Sequence, residues 1–422
     1  MPLNIKYLIT RFLHKDILIL SGGTIIAQSI VFLSSPILSR LYTPESFGIL
    51  SVFTAVSVLF ACLSTGKYEL AIFAPKDDQV ALQLVHAALK IVFAFSFIVL
   101  LVILFFHAPF QALLRWDSKT GSLLYLIPLV VLQVGIFSFF QLWIQRMRFY
   151  KTVSIVGVFQ SITTIVTSIT FGLVSASRFG LVYGYVVGQA IAVLILSLLM
   201  RNSGLFNRYS FSMLQLKESL IKHKRYPLFV LPSEFLLLLS QQFLPLIYTI
   251  LFPASIVGYI SFSLKILRVP SLVIANAFWG VYRNELIAVS QEKEKMRQKF
   301  LSTLRKLFLI GLIPFSALAL LAPWLFGLIF GSQWIPAGAY GRILSLVLFS
   351  EFIAFPLNST FLVLQREKSY FAFQLLNVFI GILIIVIAAN LWHSGLIALT
   401  YYSIFLCALN CFQIFWGYKL LK

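Results

Sequence analysis

Apolar residues in this chain gather in runs of about twenty, the length that carries an α-helix across the hydrocarbon core of a bilayer. Twelve runs predict helices at roughly 17–39, 46–65, 88–107, 122–144, 152–174, 180–200, 227–250, 255–280, 304–327, 338–362, 371–391 and 395–418. The connections are mostly short, and none is long enough for a soluble domain. The pattern is that of an all-α membrane protein with about twelve transmembrane helices.

Span 8, Ser255–Trp279, breaks the apolar pattern. It carries Lys265 and Arg268 near its middle and Pro270 just after them. A charge at that depth costs about 2.5–3.5 kcal/mol on insertion scales, so it faces protein or water rather than acyl chains. At helical spacing, Ser261, Lys265, Arg268, Leu272 and Asn276 form one mostly polar stripe. Pro270 removes the backbone bond to the Ile266 carbonyl, which predicts a kink. The expectation is a kinked helix lining a wet cavity for an anionic ligand; the plainer alternative is that both bases snorkel to an interface.

Few other polar groups sit inside spans. Arg342, Glu234 and Glu351 do, and Glu69 follows span 2. Gln28 lies in span 1, and Gln241 one heptad after Glu234 in span 7. The candidate substrate-binding residues are therefore Lys265, Arg268, Arg342, Asn276, Gln28 and Gln241. Glu234, Glu351 and Glu69 are candidates for ion coupling or charge pairing, with Glu234 to Lys265 one expected pair. Arg342 and Glu351 are nine residues apart and so on opposite helix faces. The hydroxyls of span 5 (Ser161, Thr163, Thr164, Thr167, Ser168) and the Gln374–Asn377 pair read as interhelical packing.

Charge in the loops gives an orientation. With the N-terminus inside, 26 of the 33 Lys and Arg residues fall in inside segments and 4 in outside loops. That asymmetry predicts N-in, C-in and an even number of helices. It also accounts for the net charge of +20 without nucleic acid, because the basic loops face an anionic leaflet of membrane lipids. Only 11% of residues are charged, against about 25% in a soluble domain. Cys62, Cys407 and Cys411 lie in apolar spans and read as packing residues. The five histidines show no metal spacing, and there is no P-loop or triad motif, so no catalytic residue, metal or cofactor is expected.

The chain also repeats itself. Pro36, Pro44, Ser46 and Gly48 match Pro245, Pro253, Ser255 and Gly258, with one extra residue before the second glycine. The prolines are 209 positions apart in each case. Six spans on each side of this shift give an N-terminal six-helix bundle over 1–200, a cytoplasmic linker over 201–226 and a C-terminal bundle over 227–422. Internal symmetry of this kind marks many secondary transporters.

The segments LSRLYTPESFGILSVF (Leu38–Phe53) and STGKYELAIFAPKDD (Ser64–Asp78) resemble the Wzx-type bacterial polysaccharide flippases. So do RYPLFVLPSEFLLLLSQQFLPLIY (Arg225–Tyr248) and VGYISFSLKILRVPSLVIANAFWGVY (Val257–Tyr282). Those flippases share a superfamily with multidrug and toxin exporters and the lipid II flippase. The resemblance implies two six-helix bundles around a central cavity and transport by alternating access. The implied cargo is an undecaprenyl-pyrophosphate-linked oligosaccharide for O-antigen, exopolysaccharide or capsule, and the implied site is a multi-pass position in the bacterial inner membrane. The related lipid II flippase has an Arg five residues before the corresponding proline. Lys265 stands there here and loses bidentate phosphate contact, so the resemblance leaves the pyrophosphate contact to either Lys265 or Arg268. Polysaccharide polymerase and glycosyltransferases are the implied protein partners. The rival readings are a drug exporter of the same fold, which calls for acidic residues in its cavity, and a membrane-embedded polymerase, which calls for a long outer loop.

Overall fold

The computed structural model describes residues 15–174, 177–202 and 211–422, with the side chains of 15–21 and of Asn202 left aside. Lys6, Arg11 and Arg208, and part of the expected 201–226 linker, lie outside the described residues. Twelve long helices are present among the described residues: α1 Lys15–Leu41, α2 Pro44–Thr65, α3 Asp78–Leu113, α4 Ile127–Arg146, α5 Tyr150–Val174 and α6 Gly180–Asn202. They continue as α7 Leu231–Leu251, α8 Ala254–Ala288, α9 Lys293–Phe330, α10 Ile335–Leu357, α11 Glu367–Trp392 and α12 Gly395–Lys419. All twelve are long and apolar enough to cross a membrane, with no strand among the described residues. The protein is a multi-pass membrane protein.

Some helices outrun the apolar runs that announced them. α3 begins at Asp78, capped by Asp77, whose carboxylate accepts from the Gln79 N–H at 2.9 Å. α8 stays helical through Pro270, which lacks the N–H to bond the Ile266 carbonyl, and runs on to Ala288, and α9 takes up the charged run from Lys293. Both are helical extensions of the kind the interspersed charges in 283–306 predict.

Two compact units divide the described residues. The first takes in those up to Leu41 and Phe53–Phe235; the second takes in Tyr42–Val52 and Leu236–Lys422. The break falls inside α2, so the opening turns of that helix pack with the second unit.

In the first unit, Leu82, Val85, Ala88 and Val92 of α3 meet Phe139 and Trp143 of α4 in a common core with Ala192 and Leu196 of α6. Arg146 closes the end of this core. Its guanidinium donates to the carbonyls of Ile72 (2.6 Å) and Lys76 (3.3 Å) and to Asp78 at 2.8 Å. Two of the α5 hydroxyls pack between helices: Gly184 and Gly188 of α6 seat against Ser168 and Thr164, where a Cβ on either glycine would collide.

In the second unit the repeat becomes a contact. A Cβ on Gly48 would strike the Ala254 carbonyl, and a Cβ on Gly258 would strike the Pro44 carbonyl. Just beyond, Ser51 Oγ donates to Ser261 Oγ at 2.7 Å. Pro44 with Ala254, Gly48 with Gly258 and Ser51 with Ser261 are each separated by 210 positions. Gly48 and Gly258, which the repeat matches, thus face one another, as do Ser51 and Ser261 at the same 210-residue shift. Phe262 then meets Phe47 (5.0 Å) and Phe330 (4.9 Å) edge to face and lies tilted against Trp334 (4.1 Å between centroids).

Candidate functional site

The second unit encloses a cavity of about 350 Å³, walled by α7, α8, α10, α11 and α12. Its centre is an ion pair. Arg268 on α8 reaches Glu351 on α10 with one nitrogen, at 2.8 Å to Oε2 and 3.2 Å to Oε1. Each side chain keeps about a third of its surface exposed, 34% and 30%, so the pair is approachable.

Neutral polar groups face the pair from the other walls. Ser240 on α7 donates to Gln374 Oε1 (2.9 Å) and accepts from Asn377 Nδ2 (3.1 Å), while Tyr402 OH donates to Asn377 Oδ1 (3.2 Å). Asn410 on α12 donates to Ser350 Oγ at 2.9 Å. Gln241, Asn358 and Tyr370 also line the space. Buried hydrogen-bonded groups of this kind hold their geometry because each would be costly unpaired in a low dielectric. One buried donor, Gln413 Nε2, has no protein partner and lines the same cavity. The arrangement offers a guanidinium for an anion, and amides, hydroxyls and two tyrosine rings for a carbohydrate surface.

Arg268, Glu351 and Gln241 are the candidate residues that this cavity brings together. Lys265 does not line it. Its side chain is exposed and makes no ion pair among the described residues. Of the two span-8 bases, Arg268 alone faces the chamber, and it is neutralised there rather than free; 60° of helix rotation separates it from Lys265. Asn276 is exposed and likewise outside the lining. Arg342 sits two and a half turns from Glu351 and donates to the Leu320 carbonyl at 3.3 Å, as their opposite faces require. Gln28 is exposed in the first unit.

The acidic candidates divide too. Glu234 does not take Lys265 as its partner: its carboxylate is 3.8 Å from Lys67 Nζ, which is also 3.6 Å from Glu69. The reason is local. Gly66 (φ 55°) and Lys67 (φ 57°) both adopt the left-handed conformation that ends α2 and turns the chain back. Glu69 is buried, with Oε2 unpartnered, and burial pushes its carboxyl above the ordinary range against the pull of Lys67. Lys67 escaped sequence reasoning because it reads as one more inside-loop base. Ser240, Tyr370, Tyr402, Asn410 and Gln413 escaped it too, though Asn410 and Gln413, three apart in an apolar span, carry the same signal as Gln374 and Asn377. Among the described residues, no His, Cys, Asp and Glu cluster could hold a metal ion.

The profile of the polysaccharide biosynthesis protein family matches residues 37–339. The succinoglycan biosynthesis transport protein ExoT of Rhizobium meliloti (strain 1021) is 24% identical over 306 residues, covering 72% of this chain and 59% of that relative. The match thus spans under two thirds of ExoT. Among solved structures, an inward-facing multidrug resistance transporter of the MATE family in the MOP superfamily superposes with a TM-score of 0.72 at 16% identity, over 96% of this chain and 98% of its own. The lipid II flippase MurJ in an inward closed conformation also gives 0.72, at 10% identity, over 95% of this chain and 87% of its own. The fold is that of these transporters, and the chain belongs to the polysaccharide biosynthesis protein family.

Proposed function

We propose that this protein flips undecaprenyl-pyrophosphate-linked oligosaccharide repeat units from the cytoplasmic to the outer leaflet of the bacterial inner membrane by alternating access, for O-antigen, exopolysaccharide or capsule synthesis. The observation that carries the reading is the Arg268–Glu351 pair set in a chamber of amides and hydroxyls. Glu351 occupies the guanidinium as a stand-in anion, and an incoming phosphate takes its place by the same charge-assisted bonding. The neutral donors and acceptors then meet sugar hydroxyls, which need many weak partners of both kinds. Moving two negative charges out of a negative-inside cell gains about 2.3 kcal/mol per charge per 100 mV. The polyprenyl chain stays in lipid throughout. Membership of the polysaccharide biosynthesis family and the likeness to ExoT support the cargo class.

The test is substitution of Arg268 by Ala in the native host, scored by surface polysaccharide and by lipid-linked repeat units trapped on the cytoplasmic leaflet. Loss of a charged hydrogen-bond partner is worth about 1.5–3 kcal/mol, a tenfold to hundredfold fall in flux. Normal polysaccharide with the variant present in the membrane would discard the reading. The neutralised charge of the chamber also suits a drug exporter. Unchanged polysaccharide together with new drug sensitivity, in cells lacking the protein, would select that alternative.

A further inference from the structure

Between α6 and α7 lies a ten-residue helix, Met213–Lys222, opened by a capping box between Ser212 and Gln215. One face is packed. Leu216 and Ser219 are buried, Tyr68 OH donates to the Leu220 carbonyl, and Gln83 on α3 donates to the Gln215 carbonyl. At 100° per residue, the side opposite this face holds Leu214 and Ile221, two turns apart, with the exposed Glu218 next to them. A helix that meets water presents polar residues there. Here Leu214 is 67% exposed, Ile221 54%, and Met213 beside them 71%. Lys217 flanks Leu214 and Ile221 on one side; on the other, Glu218, the helix's one acidic residue, comes before Lys222, and Lys224 and Arg225 follow the helix. Tyr226, four residues after Lys222, opens a membrane-spanning segment, which sets the helix at headgroup depth.

We infer that this helix is a binding site for anionic phospholipid headgroups of the membrane that the chain spans. Leu214 and Ile221 enter the acyl boundary, while Lys217, Lys222 and Lys224 lie along it with their ammonium groups on phosphates. Charge complementarity selects this occupant. Four bases against one acid match an anionic leaflet, whereas the buried centre of a protein interface is poor in lysine.

The test uses full-length protein in nanodiscs, with Cys407 and Cys411 replaced by alanine and a nitroxide on Leu214→Cys or Ile221→Cys. Accessibility to oxygen is compared with accessibility to a water-soluble nickel chelate. In nanodiscs containing phosphatidylglycerol, the oxygen-to-nickel ratio is expected to rise several-fold over phosphatidylcholine alone. The triple variant K217Q/K222Q/K224Q, altered only at the flanking bases, is expected to lose most of that rise. Equal ratios in the two lipids, or a rise that the triple variant keeps, would overturn the inference. So would a label that leaves water only when membrane extract containing glycosyltransferases is added, since a protein would then be the occupant.

Discussion

Arg268 and Glu351 stabilise each other and are proposed to serve the cargo, and the two roles separate by mutation. Arg268→Ala leaves Glu351 unpaired in a chamber within the membrane. With both groups a third exposed, the cost is about 1–2 kcal/mol, less than for a fully buried pair. The double variant R268A/E351A removes both charges, so its thermal midpoint should return towards wild type while polysaccharide export stays lost. Recovery of export in the double variant would show that the pair is structural only. Glu69 yields a pH effect of known sign. Burial raises its carboxyl, so the stability it contributes is present below the ordinary glutamate range and is lost as pH rises through its own value. Lys67 and Glu234 are the charged groups beside it, and neither removes this penalty. Glu69→Gln should therefore flatten the fall in melting temperature as pH rises above the ordinary glutamate range. An unchanged slope would place the titration elsewhere.

At the scale of elements, the spans were legible in the sequence because the hydrocarbon thickness imposes one length on all of them. The site was legible only in part. Arg268 and Glu351 stood out as charges in apolar runs, but 83 residues separate them and no periodicity joins two helices. The same gap led Glu234 to be matched with Lys265, where a left-handed turn supplies Lys67 instead. Two helix contacts give measurable expectations. Gly258→Ala drives a Cβ into the Pro44 carbonyl, a backbone atom that cannot rotate away, so about 1–3 kcal/mol of stability should be lost, readable as a fall in thermal midpoint. Gly280, with nothing near its Cβ position, is the control: Ala there should cost nothing. Arg146→Lys keeps the charge but cannot hold the Ile72 and Lys76 carbonyls together. Because Asp78 is largely exposed, those carbonyl bonds carry the loss, about 2 kcal/mol, and proteolysis of the 72–78 turn should quicken.

For the whole molecule, the distribution of bases predicts N-in and C-in. Cysteines at Ser118 and Ser290, both exposed, fall on opposite sides in that arrangement. In intact cells, Ser118→Cys should react with an impermeant maleimide, and Ser290→Cys only after the membrane is opened. The reverse pattern would invert the topology. The repeat carries a consequence of its own. Pro44 meets Gly258 as Ala254 meets Gly48, a reciprocal arrangement that a two-fold axis generates when a surface binds its own copy. An ancestor of half this length, six helices with both ends on one side, would have joined its twin through that glycine crossing. Two copies joined in one chain would be free to differ, as Arg268 and Val58, 210 positions apart, do.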